Sequence, residues 1–401
     1  MSQRASKSDP DVPQNLMQWD KHIHAFVSLC KKDGPNDGPL AGMTVGVKDV
    51  IDVAGVPTCN GSDACKDAEP ALQDAAVVAA LRNAGARIVG KTTTTEFAFT
   101  DPTRCRNPHD LNRSPGGSSS GSGAAVAAGV VDIALGTQTA GSLCRPAAYC
   151  GVVGFKPSYG LLPTTGVTPL AASFDTVGII ASSVALAKKA FAAITTTEVI
   201  AAEHSSLKGV AGLWQTDARV DEDGLAGLHS AATALGLQID RAPLSADVEA
   251  IVKAHRIVMN YDAVTAHGAM LLDARVDVLK PKFLAGLKAG LKTSPDKAKQ
   301  AADFLADARQ KFWCALADTE ILLTLPAPEG APLIDGTTGY QDWLTPWTVF
   351  GGPLVCLPWG LDRLGRPRSV MLAAHPGQDV QILETAAQLE NRSPDLPRPQ
   401  L

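Results

Sequence analysis

The chain is poor in the features that mark several large functional classes. Its eight cysteines are scattered through 401 residues with no CxxC pair, which speaks against a disulfide scaffold and against a zinc site. Its eight histidines show no HExxH motif and no clustered ligand spacing, so no metal is expected. A formal net charge of -5 and a pI near 5.9 leave no basic footprint for nucleic acid. No apolar run approaches the ~20 residues of a membrane span. The first residues, MSQRASKSDPDVPQN, lack the apolar centre of a signal peptide. The expectation is a cytoplasmic protein with neither a membrane nor a nucleic-acid partner.

Against these absences stands a concentration of glycine, serine and threonine in the first half. Three segments stand out: GVKD (46–49), PGGSSSGSGAAVAAG (115–129) and GTQTAGS (136–142). Glycine lets a backbone approach a ligand closely and take positive φ without steric cost. Such a loop can aim several N–H groups at a developing oxyanion. A lysine held neutral can act as a base. Lys48, Ser118 and Ser142 therefore offer a base, a relay and a nucleophile with no histidine.

With GVKDVIDVAGVPT, GKTTTTEFA, GTQTAGSLCRPAAYCGVVGFKPS and SFDTVG in the same order, the stretch from about 40 to 183 resembles the amidase signature family of Ser–Ser–Lys amide hydrolases. Within that family it is most similar to malonamidase-type members. The resemblance implies Lys48 as the base, Ser118 as the bridging serine after a cis peptide, and Ser142 as the acylated serine. It implies an oxyanion loop of Thr139, Ala140 and Gly141, with Ser119 and Thr137 supporting the relay and Asp175 in a structural place. Gln138 and Ala140 depart from the family's usual GTDTGGS, and Cys144 stands where an arginine is usual, with Arg145 next. Malonamidase-type members share that shift, which suggests Arg145 as a clamp for a substrate carboxylate; Gly117 is a further candidate substrate-binding residue. Phe174 and part of GYQDWLTPW (339–347) are the expected pocket walls.

The expected activity is hydrolysis of a small carboxamide such as malonamate to carboxylate and ammonia, with no cofactor and a small-molecule amide as partner. Alternatives are an aryl- or alkyl-amide hydrolase, a glutamine-dependent amidotransferase subunit, and a non-catalytic binding protein. A homodimer is suggested by the resemblance alone.

Alternating strand and helix patterns predict a single compact α/β domain with a large mixed sheet covered by helices on both faces. Its expected limits are 14–390, between a flexible arm at 1–13 and a flexible tail at 391–401. Residues 14–32 read as one amphipathic helix, 72–85 as a helix stopped by Gly85, and 86–90 as a buried strand. Two motifs compete with the serine–lysine reading. GARIVGKT (85–92) fits GxxxxGK[ST], but a helix precedes it and TTTT follows it, against the strand–loop–helix a phosphate loop needs. GSSSG (117–121) fits GxSxG with Ser119 as nucleophile and His375 as partner, but the preceding residues are turn-like rather than a strand.

Overall fold

The computed structural model describes residues 14–35, 37–195, 209–212, 218–239, 247–316 and 321–401. The expected arm at 1–13 lies outside them. Helix α1 (Gln14–Ile23) runs into strand β1 (Phe26–Lys32), so the single helix expected over 14–32 is corrected. The break falls at His24, which takes positive φ. The Asp20 carboxylate accepts the Phe26 N–H at 2.9 Å and starts the chain in a new direction. The alternating, β-branched and aromatic start of FVSLCKK then favours a strand.

Strand β2 (Thr44–Lys48) ends on the candidate lysine, followed by α2 (Ala76–Asn83) and β3 (Arg87–Thr92). Gly85 closes α2 with φ 96°, as its position predicts. Helix α3 (Ser120–Ala127) leaves the first serine loop. β4 (Ile133–Gln138) enters the second, and α4 (Cys144–Cys150) leaves it. β5 (Val153–Lys156), β6 (Thr176–Ala181) and α5 (Val184–Ile194) complete the first half. Then come β7 (Gly209–Ala211), α6 (Glu222–Leu235), β8 (Gln238–Ile239), α7 (Val248–His267), α8 (Pro281–Leu291) and α9 (Pro295–Ala315). The last elements are β9 (Ile321–Thr324), α10 (Thr345–Phe350), β10 (Leu354–Leu361), β11 (Pro367–Ala374) and α11 (Asp379–Glu390).

The described strands form one mixed sheet in the order β1-β3-β2-β4-β6-β5-β10-β11-β9-β7-β8. β3, β2 and β4 are parallel to one another, and the run from β4 to β9 is antiparallel. Every residue of β4, β5, β6 and β11 is buried, which requires cover on both faces. α3 and α4 pack together against the sheet, while α5 and α11 pair elsewhere on it. α7, α8 and α9 form a helical layer with α10. α8 goes unannounced in the sequence because Gly286 and Gly290 dilute its helical signal. Gly290 is there for close approach: a Cβ on it would sit 2.0 Å from the Asn260 carbonyl oxygen of α7.

Candidate active site

The parallel trio β3, β2 and β4 delivers the functional groups, because β2 and β4 end on the same side of the sheet. Lys48 is fully buried at the end of β2. Its Nζ donates to Ser118 Oγ at 2.7 Å and to Thr137 Oγ1 at 2.6 Å. Burial pulls its pKa down to about 7, and only the Asp175 carboxylate works against that shift. The Gly117–Ser118 peptide is cis. The Ser118 carbonyl accepts the Thr95 N–H at 3.2 Å, and the Ser119 N–H donates to the Ser142 carbonyl at 3.1 Å. That second bond ties the two serine loops together. Ser119 Oγ donates to the Thr137 carbonyl and accepts the Thr137 N–H, both at 3.3 Å, so it braces the β4 end as well.

Beyond β4 the chain turns through 139–142 into α4. Among the described residues, the N–H groups of Ala140, Gly141 and Ser142 meet no acceptor. The Thr139 hydroxyl donates to Asp175 Oδ1 at 2.6 Å, and Asp175 Oδ2 accepts the N–H groups of Leu170 and Ala171. Loss of water raises the Asp175 carboxyl to about 6 despite those bonds. Gln138 Oε1 accepts the N–H groups of Leu143 and Cys144 at 3.1 and 3.0 Å. Its side chain thus serves the start of α4, a place where the family's usual aspartate could accept but not donate.

Arg145 is buried, and its guanidinium donates to the carbonyls of Gly117 and Tyr340. Among the described residues no carboxylate pairs with it and its Nε–H has no partner, and burial lowers its pKa to about 10. A cavity of about 720 Å³ opens beside the serine loop at Ala140. Its walls include the α7 stripe Val252, His255, Arg256, Met259 and Asn260, with Tyr340 opposite. Of the expected wall, residues 339–342 and Thr345 are there. Phe174 and Arg145 are not part of the lining; Phe174 instead lies against the His255 ring, with centroids 4.3 Å apart. Sequence reasoning missed His255 and Thr348. A lone histidine on a helix and a threonine in an apolar run carry no pattern of their own.

The competing motifs dissolve in the structure. Residues 87–92 are strand β3, and Lys91 is buried in an ion pair with Asp49 at 3.1 Å. Lys91 Nζ also donates to Thr58 Oγ1 at 2.8 Å. His375 contacts the Leu316 carbonyl and the Trp313 ring rather than Ser119. Among the described residues no cluster of histidine, cysteine or acidic side chains could hold a metal, and no helix is long and apolar enough to cross a membrane. Removing one partner of a buried pair leaves the other charge uncompensated. Lys91→Met should therefore lower unfolding stability by about 3–5 kcal/mol, read by urea denaturation. A loss below ~1 kcal/mol would mean that the pair contributes little to holding Asp49 beside Lys48.

A buried lysine hydrogen-bonded to a serine beside a second serine loop, on a mixed α/β sheet, defines an amidase-type class of protein. Residues 1–200 match the Amidase family, and the chain belongs to it. A glutamyl-tRNA(Gln) amidotransferase subunit of Halobacterium salinarum is 49% identical over 170 residues, which is 40% of each chain. The match thus spans well under half of that relative's length. A solved structure of an inhibitor-bound vestigial protein complex, bearing on the origins of an s-triazine catabolic enzyme, superposes with TM-score 0.84 at 28% identity. It covers 96% of this chain and 94% of that one. A crystal structure of an amidase gives TM-score 0.84 at 26% identity over 94% and 95%. Malonamidase-type relatives are not among these, so the resemblance holds at the level of the family.

Proposed function

We propose that the protein hydrolyses carboxamides through an acyl-Ser142 intermediate. The observation that carries this reading is Lys48 Nζ, fully buried and 2.7 Å from Ser118 Oγ. As Ser142 Oγ attacks the amide carbon, its proton passes to Ser118 and the Ser118 proton passes to neutral Lys48. The oxyanion takes the free N–H groups of the 140–142 loop. Proton return through Ser118 to the amine nitrogen breaks the C–N bond and releases ammonia. Water then attacks the ester by the same relay, giving the carboxylate and restoring Ser142.

Two features bear on the substrate. The cavity of about 720 Å³ falls in the ~300–1,000 Å³ range that encloses drug-sized ligands, but it meets the serine loop at Ala140 alone, and its lining includes none of Lys48, Ser118 and Ser142. Arg145 is engaged with two carbonyls, and its Nε–H has no partner among the described residues. We favour an aryl- or extended alkyl-amide that reaches past Ala140 into this space; the guanidinium bonds of Arg145 to two carbonyls leave malonamate without a specific argument. A second reading, an ammonia-supplying amidotransferase component, is favoured by the amidotransferase relative at 49% identity.

One panel separates these readings. The purified chain is given hexanamide, benzamide, malonamate and glutamine, and ammonia is measured. We expect kcat/KM for hexanamide and benzamide to exceed that for malonamate at least tenfold. Glutamine as the best substrate would favour the amidotransferase reading. Malonamate as the best would reinstate the small-substrate expectation.

A further inference from the structure

The matched segment ends at residue 200, yet two side chains beyond it hold the backbone of the 139–142 loop. We propose that His255 and Thr348 are positioning residues that aim the N–H groups of Ala140 and Gly141 at the oxyanion, a role that rests on the acyl-serine reading above.

Peptide planarity links the two sides of each peptide unit. In a trans peptide the carbonyl of one residue and the N–H of the next lie in one plane and point in opposite directions. Fixing the carbonyl therefore fixes the N–H. The Thr139 carbonyl takes a hydrogen bond from His255 Nε2 at 2.8 Å, which sets the direction of the Ala140 N–H. The Ala140 carbonyl takes one from the Thr348 hydroxyl, which sets the Gly141 N–H. The Gly141 carbonyl accepts the Arg145 N–H at 3.0 Å, and this sets the Ser142 N–H. Three consecutive donors are thus aimed by bonds on the far side of their own peptide planes.

The direction of each bond is determined. A carbonyl can only accept, so His255 carries its proton on Nε2. The ring is neutral, because burial pulls its pKa down to about 4. Gln138 Oε1 accepts two backbone N–H groups, so its Nε2 faces Thr348 and donates to the hydroxyl at 3.0 Å. Thr348 then has only its own proton left to offer, and Ala140 receives it. A carboxylate at 138 would have no proton to give Thr348 and could only compete with Ala140 for the Thr348 proton. Both residues sit on elements packed over the loop, since α7 carries His255, α10 carries Thr348, and the two helices touch.

Oxyanion donors act only when charge develops on the carbonyl oxygen, so misaiming them lowers kcat and leaves ground-state affinity alone. The probe is p-nitrophenyl butyrate, followed by p-nitrophenolate release, with butylboronic acid as the tetrahedral analogue. His255→Phe keeps an aromatic ring against Phe174 and removes the donor. Thr348→Val keeps the shape and removes the hydroxyl. Each should lower kcat roughly 10- to 100-fold, with KM within about threefold, and should weaken the boronate by a similar factor. His255→Gln and Thr348→Ser restore a donor and should recover most of the loss. A raised KM with unchanged kcat, or no recovery in the conservative variants despite cooperative unfolding, would overturn the proposal. Ser142→Ala run beside them keeps the two readings apart. If it retains the wild-type rate, the acyl-serine reading itself fails. If it is inactive while His255→Phe and Thr348→Val keep wild-type kcat, only the positioning role fails.

Discussion

Ser142→Ala is expected to lower turnover of hexanamide roughly 10⁴- to 10⁶-fold, the loss seen when a nucleophile acting as one unit with its base is removed. The size follows from the arrangement. Ser142 is the only member of the trio on the loop whose N–H groups are free, so an oxyanion seated there is bonded to a carbon attacked from Ser142. Ser118 is the relay instead, its Oγ 2.7 Å from Lys48 Nζ and able to pass its proton to the neutral lysine. Ser118→Ala should therefore be severe but leave measurable acylation. The decisive measurement is mass spectrometry of the chain mixed rapidly with p-nitrophenyl butyrate. The butyryl mass should map to the peptide holding Ser142 and vanish in Ser142→Ala. A butyryl group on Ser118 or Ser119 would displace Ser142 as nucleophile.

The candidate site residues are legible in the sequence because each rests on local chemistry. Lys48 is read at a strand end, where a run of buried residues stops at a polar one. Both serines lie in small-residue loops that flank short elements, and those elements form where the pattern puts them: α3 after the first loop, β4 before the second. His255 and Thr348 are illegible for the opposite reason. Their contacts depend on α7 and α10 being laid over a loop more than a hundred residues earlier in the chain. Nothing in AHRIV or TPWTV records that packing. Arg145 shows a third case. Its place three residues after Ser142 is plain in the sequence, but its bonds to the Gly117 and Tyr340 carbonyls are not, because no local pattern distinguishes those partners. The strand at Phe26–Lys32 escapes the sequence because the periodicity of 14–32 is compatible with a helix until a partner strand competes for its backbone. β3 is that partner, aligned antiparallel to β1.

Lys48 is expected to impose opposite demands on activity and stability, and both are measurable. As a base it must be neutral. With its pKa near 7, kcat/KM should fall about tenfold per pH unit below that value and level off above it. Lys48→Met should remove the pH rise and lower kcat roughly 10²- to 10⁴-fold. Stability follows the proton counts. Between about 7 and 10.5 the unfolded lysine binds a proton that the folded one does not, so stability rises with pH across that window. Below about 7 both states are protonated and the buried ammonium carries its full penalty, roughly 5 kcal/mol by the distance between the two pKa values. Ser118 and Thr137 lose a donor in Lys48→Met, which offsets part of any gain. That offset does not depend on pH, however, so the difference in unfolding free energy between variant and wild type should favour the variant more at pH 6 than at pH 10. Urea melts at both pH values read it. Asp175→Asn supplies the complementary check. Asp175 is the group that holds the lysine's pKa up, so the activity rise should move to lower pH in that variant. An activity profile flat from pH 5 to 9, with chemistry rate-limiting, together with a pH-independent stability difference, would show that Lys48 does not titrate in the site, and the lysine-base reading would fall.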